Sequence, residues 1–158
     1  MFNLYLQSIL AVAIFTPFGL YFYKDKTLDL SMFSSQLIFG IIFTSFIGLF
    51  LNFFTPLDKN INTIFLIFSC YILFCFRSIY LTKKFAFFLL ISGFAISILI
   101  IESHTYRPDA GLYHLPFIKI LNEEKIIFGL SNLHFRYGHI SIIQYFSAIS
   151  NNYIFGTN

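Results

Sequence analysis

The sequence predicts an all-α integral membrane protein with about four to five transmembrane helices and one interfacial amphipathic helix. The first observation is composition: 58% of the 158 residues are hydrophobic and 11% are charged, whereas roughly a quarter of residues are charged in soluble proteins. The mean hydropathy of +0.78 agrees. The second observation is a series of charge-free runs, most of them near the roughly 20 residues that a helix needs to cross the hydrocarbon core.

These runs predict the membrane spans in chain order. We place the spans at residues 3–23, 33–54, 61–81, 85–102 and 140–156. Pro17 is expected to kink the first span, and such a kink is tolerated where a neighbouring helix satisfies the carbonyl that proline leaves free. The third span passes Arg77, whose long side chain can reach the interface from a span end. Residues 1–158 are treated as a single transmembrane domain.

Small residues recur every fourth position in two spans. Gly40, Thr44 and Gly48 do so in the second, and Gly93 and Ser97 in the fourth. Such spacing lets helix backbones approach closely in lipid. We favour packing within one chain over a dimer interface.

Basic residues in the short loops predict the orientation in a bacterial cytoplasmic (inner) membrane. The first and third loops carry five of them: Lys24, Lys26, Arg77, Lys83 and Lys84. The second loop carries only Lys59, so the positive-inside rule places loops one and three in the cytoplasm. The amino terminus and residues 102–139 then face outward, although four basic residues in this longer loop balance the total count. Basic residues are too scattered for nucleic-acid binding.

The third span contains two cysteines. Cys70 and Cys75 lie five positions apart, which excludes a CxxC motif and a disulfide within one helix. We expect both to be small buried hydrophobic residues.

Ionisable residues are concentrated in the loop of residues 102–139. It holds eight of the 17 charged residues and all four histidines. Apolar runs alternate with these charges, which favours an amphipathic helix lying in the interface. Its lipid-facing side would comprise Leu112, Leu115, Phe117, Ile118 and Leu121, and its water-facing side His114, Lys119 and Asn122. Pro116 would start or bend this helix.

Several loop residues have two interpretations. Asp109 is either the N-cap of the interfacial helix or a general base near a low-dielectric boundary. Arg107 and Arg136 are either interface anchors or ligands of a phosphate, which the guanidinium group fits well. His114 and His134 are interpreted first as hydrogen-bonding residues. No spacing matches HExxH or a zinc finger, so no metal ligands are assigned; the cofactor is unknown and a divalent metal is an alternative.

The run DAGLYHLPFIKILNEEKIIFGLSNLHFRYGHIS, residues 109–141, resembles a block in multi-spanning bacterial membrane proteins related to the GT-C glycosyltransferases. The resemblance lies in "YH" followed by "GL-NLH-R-G", and outside this block only the hydropathy pattern agrees. It implies transfer of a sugar from a polyprenyl-phosphate donor to a cell-envelope acceptor. It also implies that Asp109 is the catalytic base and that Arg107, His114, His134 and Arg136 bind substrate.

The resemblance leaves other functions open. A transporter or flippase of lipid-linked saccharides would bind the same carrier without forming a bond, and a non-catalytic membrane subunit would use the loop to dock a partner. GT-C enzymes usually have more spans than the five predicted here. We therefore expect the chain to be the amino-terminal fragment of a longer protein and to be inactive alone. The expected partners are the bilayer and the lipid-linked sugar, with no nucleic acid.

Overall fold

The structure is a computed structural model that describes residues 2–22, 29–102, 110–132, 135–138 and 141–151. All regular structure in these ranges is helical. The α-helices are α1 (Phe2–Phe15), α2 (Leu30–Asn52), α3 (Lys59–Cys75), α4 (Arg77–Tyr80), α5 (Lys83–Glu102), α6 (Leu115–Glu123) and α7 (Ile142–Ser150). Thr16–Phe22, Leu130–Asn132 and Phe135–Gly138 form 3-10 turns, and Ala110–His114 forms a π-helical turn.

Among the described residues, three helices are long and apolar enough to cross a membrane: Asn3–Leu20, Leu30–Asn52 and Lys83–Glu102. They coincide with the first, second and fourth predicted spans. At about 1.5 Å per residue, the 20 residues of α5 extend about 30 Å, which matches the hydrocarbon core. The third predicted span is divided, because α3 ends at Cys75 after 17 residues and α4 follows separately.

The fifth predicted span, residues 140–156, is not a long helix where the structure describes it. There α7 has nine residues, about 13.5 Å, which is too short to cross a bilayer by itself. The helix ends at Ser150, and the backbone N–H of the next residue, Asn151, donates to the Ala148 carbonyl at 3.2 Å. Ser150 and Asn151 favour such ends because their side chains compete for backbone hydrogen bonds.

The described residues belong to two compact units. The first comprises Met1–Phe43 and Leu66–Thr105, and the second Thr44–Phe65 and Tyr106–Asn158. Each of α2 and α3 therefore contributes one part to each unit.

In the first unit, α1 packs along α5. A Cβ atom on Gly93 would lie 2.5 Å from Cγ1 of Ile9, so glycine is what permits this close approach. The Ser97 hydroxyl lies 3.4 Å from that of Ser8 across the same interface. Gly40 is similarly close to the Phe15 carbonyl. The prediction that the small residues pack within one chain is confirmed.

The first span changes its helix type next to Pro17, where a kink was predicted. The α-helix ends at Phe15 and continues as a 3-10 turn from Thr16. The Thr16 hydroxyl donates to the Val12 carbonyl at 2.6 Å. The Ser69 hydroxyl on α3 donates to the Ile14 carbonyl. Carbonyls around the interruption thus obtain partners without water.

Aromatic side chains form the apolar core at one end of the first unit. The Phe33 ring on α2 lies 5.9 Å from that of Phe85 and 5.4 Å from that of Phe88, both on α5. The ring of Tyr80 on α4 lies 4.9 Å from that of Phe85. The amino-terminal ends of α2 and α5 and the short helix α4 therefore meet at this end.

The prediction of buried cysteines is wrong. Cys70 and Cys75 are free thiols on the exposed surface of α3. Large apolar neighbours such as Ile67, Phe74 and Tyr71 are exposed with them. In a helix of this composition an apolar residue need not be buried in protein, since lipid can cover it.

Candidate functional site

Four asparagines organise the second unit around α6 and α7. Asn52 ends α2, Asn62 lies in the first turns of α3, Asn122 lies near the end of α6, and Asn151 follows α7. Helix carboxyl ends leave backbone carbonyls without intrahelical partners, and these must be satisfied wherever water is excluded. The side-chain amides of Asn52, Asn62 and Asn122 donate to such carbonyls.

Asn52 holds the carboxyl end of α6. Its Nδ2 donates to the Glu124 carbonyl at 3.0 Å and to the Leu121 carbonyl at 3.4 Å. The backbone completes the contact, because Leu57 N–H donates to the Leu121 carbonyl at 2.8 Å and Ile126 N–H donates to the Asn52 carbonyl at 2.8 Å. The position of α6 is therefore fixed by the segment that follows α2.

Asn62 does the same for α7. Its Nδ2 donates to the Ala148 carbonyl at 2.8 Å, the Asn151 carbonyl at 2.9 Å and the Leu57 carbonyl at 3.1 Å. Asn122 joins the two ends, since its Nδ2 also donates to Leu57 and Ala148, at 2.6 and 3.0 Å. Its Oδ1 accepts from Nδ2 of Asn151 at 2.7 Å. We call these four residues the asparagine clamp.

Two oxygens of the clamp are buried without a partner among the described residues: Oδ1 of Asn52 and Oδ1 of Asn62. Reversing either amide would not help, because the atoms around each Nδ2 are carbonyl acceptors. The hydrogen bonds from Nδ2 to the helix carbonyls therefore determine the orientation of both side-chain amides. In that orientation the two Oδ1 atoms do not face a donor among the described residues.

His114 is held in one tautomer by α7. Gln144 is buried, and its Oε1 accepts from the backbone N–H of Ser141 at 3.1 Å as part of a capping box. Its Nε2 must then face Nδ1 of His114, 2.9 Å away. An amide nitrogen only donates, so Nδ1 is the acceptor and the proton of the neutral ring sits on Nε2.

The side chain of His114 is exposed, and the ring centroids of His114 and Tyr113 are 4.2 Å apart. The Nε2–H of His114 can therefore donate a hydrogen bond to a phosphate or sugar oxygen, with an aromatic face beside it. Of the five predicted site residues, His114 is the one whose side chain the structure describes. Asp109, Arg107 and His134 lie outside the described residues, as does the side chain of Arg136, whose backbone is in the turn Phe135–Gly138.

The predicted orientation of the amphipathic helix is partly wrong. Phe117 and Leu121 are buried in protein and do not form an exposed lipid-facing side, and Asn122 hydrogen-bonds inside the clamp instead of facing water. The reason is that α6 packs against α7, so its apolar side has a protein partner. Lys119 is exposed as predicted, in an ion pair of 3.8 Å with Glu123 that contributes little at such exposure. Pro116 lies in the first turn of α6, which directly follows the π-helical turn Ala110–His114.

Sequence reasoning missed Asn52, Asn62 and Gln144. Asn52 and Asn62 each lie within a charge-free run, and a primary amide in such a run is the available signal, because polar groups away from water need partners. No group of three or more His, Cys, Asp or Glu side chains could hold a metal ion within the residues that the structure describes.

A protein-family model described as "Domain of unknown function (DUF8201)" matches residues 1–158, the whole sequence. No curated protein matches the chain, and neither does any solved structure.

Proposed function

The chain belongs to the DUF8201 family, and we propose that it is a multi-pass protein of the bacterial cytoplasmic membrane. The support is the surface of its longest apolar helices. Only 17% of the span window in α5 is buried inside the protein, and Phe87, Phe94 and Leu99 are exposed on it by 58 to 68%. Apolar surface of this extent is unfavourable in water and favourable in a bilayer. In the proposed orientation the amino terminus and residues 102–139 face outward.

We further propose that the protein transfers a sugar from a polyprenyl-phosphate donor to a cell-envelope acceptor. The observation that carries this proposal is the fixed presentation of His114 by Gln144, next to a helix anchored by the asparagine clamp. Transfer chemistry needs groups held in a defined geometry, and this segment supplies one at an exposed position. The sequence resemblance of residues 109–141 to the GT-C-related proteins is the second support.

In the proposed reaction Asp109 acts as general base. Its carboxylate takes the proton of the acceptor hydroxyl, whose oxygen attacks the anomeric carbon of the sugar. The bond from that carbon to the phosphate oxygen breaks, and the polyprenyl phosphate leaves with the electron pair. Arg107 and Arg136 neutralise the phosphate, while His114 and His134 donate hydrogen bonds to the donor.

The test uses the natural protein in proteoliposomes with polyprenyl-phosphate sugars and membrane acceptors. Asp109→Asn should lower glycoside formation at least about 100-fold, because general bases contribute roughly 10²–10⁴-fold to rate. Glu123→Gln is the matched control, since its carboxylate is exposed in the same segment. It should retain the wild-type rate.

Both variants should remain in the membrane fraction after carbonate extraction. Glycoside formation by Asp109→Asn at the wild-type rate would disprove the base. A wild-type protein that moves the lipid-linked sugar across the bilayer without forming a glycoside would instead be a flippase.

A further inference from the structure

A cavity of about 520 Å³ lies in the first unit, where α4 is followed by the start of α5. Its walls are apolar and include Leu73, Leu81, Phe85 and Leu89, with Ala86 at the side. The volume is within the roughly 300–1,000 Å³ of small-molecule sites. Tyr80 also lines it, and the hydroxyl of Tyr80 is directed to Oε1 of buried Gln36 at 3.3 Å. The interior therefore suits a hydrocarbon chain.

The rim of this cavity is positively charged. Lys83 lines it, and Lys84 follows in the first turn of α5, which contains no acidic residue. Across the described part of the chain, neither lysine has a carboxylate partner within ion-pair distance. Arg77 lies at the same end, with its guanidinium 5.7 Å from the Phe74 ring centroid.

Two lysines in a first helical turn are unfavourable for the chain by itself, because the helix amino terminus already carries partial positive charge. An anion bound there would interact favourably with both lysines and with the helix terminus. The Thr82 hydroxyl accepts from Phe85 N–H at 3.2 Å, which fixes the first turn in place. A charged rim beside an apolar cavity is complementary to one class of molecule, an amphiphile with an anionic head.

We propose that this cavity binds an anionic phospholipid, with its phosphate at Lys83 and Lys84 and one acyl chain between Leu81 and Leu89. The proposal rests on the proposed membrane insertion, because the lipid enters from the bilayer that surrounds α5. In the proposed orientation the rim faces the cytoplasmic leaflet, which is the leaflet that attracts basic segments. We call this cavity the lipid groove.

The test is photolabelling of the purified protein in nanodiscs by a photoactivatable phosphatidylglycerol, with the labelled peptides identified by mass spectrometry. Wild-type protein should be labelled within residues 81–89. The double variant Lys83→Gln/Lys84→Gln should reduce labelling about tenfold, since each basic residue near an anionic surface contributes to lipid affinity. The double variant Lys119→Gln/Lys125→Gln removes the same charge in the second unit and should leave labelling unchanged.

A second pair of variants tests the apolar part without altering charge. Ala86→Trp fills the groove from an exposed position and should abolish labelling. Ala95→Trp is the matched control, because it is exposed on the same helix but outside the groove, nine residues along and about 180° around. Circular dichroism should show all four variants with the wild-type helix content.

Equal labelling by a photoactivatable phosphatidylcholine, unaffected by the lysine variants, would overturn the proposal. So would full competition by inorganic phosphate, which would indicate an anion site without a lipid chain. Carbonate extraction distinguishes failure of the underlying membrane proposal. A protein that carbonate releases, yet that phosphatidylglycerol vesicles label at residues 81–89, would disprove membrane insertion and retain the groove.

Discussion

Single side-chain amides determine how the second unit is held together. Asn62 is fully buried, and its one amide nitrogen serves three carbonyls. Losing it removes one donor from each of these carbonyls, although Asn122 still donates to two of them, those of Leu57 and Ala148. Gln144 likewise orients His114: its Oε1 accepts from the backbone N–H of Ser141, so its Nε2 is the atom that faces the imidazole.

Asn62→Ala should lower the free energy of unfolding in detergent by about 2–4 kcal/mol, because it removes three hydrogen bonds and most of a fully buried side chain. Asn62→Asp should be no better, since a carboxylate has no N–H to donate and adds a buried charge. Asn60→Ala is the matched control on the same helix, because Asn60 is exposed and bonds only the Asp58 carboxylate among its described partners. An equal loss in Asn60→Ala and Asn62→Ala would contradict the capping role.

The tautomer of His114 can be read from ¹⁵N NMR shifts of histidine-labelled protein. The wild type should show its neutral ring protonated on Nε2. In Gln144→Glu the carboxylate can only accept, so the proton should move to Nδ1. An unchanged ring in Gln144→Glu would show that Gln144 does not select the tautomer.

At the level of whole elements, glycines determine how closely helices approach in the first unit. A Cβ on Gly40 would meet the backbone carbonyl of Phe15, whereas one on Gly93 would meet mainly the side chain of Ile9. Backbone cannot give way without moving a helix, but a side chain can change rotamer. The two positions therefore differ in tolerance although they share a sequence pattern.

Gly40→Ala should destabilise the protein by about 2–3 kcal/mol, which is typical of overpacking. Gly93→Ala should cost less than Gly40→Ala, since its shortest contact is with a side-chain atom and the gain in helix propensity of about 1 kcal/mol offsets part of the cost. Unfolding in detergent measures both, and Ile9→Ala, which removes the Cγ1 atom, should lower the cost of Gly93→Ala while leaving the cost of Gly40→Ala unchanged. Equal costs at the two glycines would contradict this difference.

The sequence predicted the long apolar helices well. It predicted poorly those elements whose ends and orientation depend on contacts with other parts of the chain. Charge-free runs predicted α1, α2 and α5, because a helix of that length and hydropathy follows from composition alone. They did not predict that α7 ends at Ser150, since hydropathy carries no information on the hydrogen bond from Asn151 N–H to the Ala148 carbonyl; residues 152–156 of the fifth predicted span lie outside the described residues. The sequence could not predict that Asn122 on α6 faces protein instead of water, because its hydrogen bonds are to Ala148 on α7 and to Leu57.

The candidate site was predictable to a similar degree. The concentration of ionisable residues identified residues 102–139, which include His114. The buried side-chain amides that position this segment carry no charge, so the same criterion did not identify them. Asp109, Arg107 and His134 lie outside the described residues, so their roles stay predictions.

At the scale of the whole molecule, our proposals share one claim, that α5 crosses a membrane with its basic first turn on one side and Ser103 on the other. Lys84 lies at the start of this helix, and Ser103 directly follows its last residue. The proposed reaction depends on this claim, because the donor needs the outer face, and so does the entry of a lipid into the groove from the surrounding bilayer.

Cysteine accessibility in intact cells tests this claim most directly. In a Cys70→Ser/Cys75→Ser background, Lys84→Cys and Ser103→Cys are labelled separately with an impermeant thiol reagent. Ser103→Cys should be labelled in intact cells, and Lys84→Cys only after the membrane is permeabilised. Labelling of both before permeabilisation would show that α5 does not cross the membrane, and the reverse pattern would place Asp109 in the cytoplasm and contradict the proposed reaction.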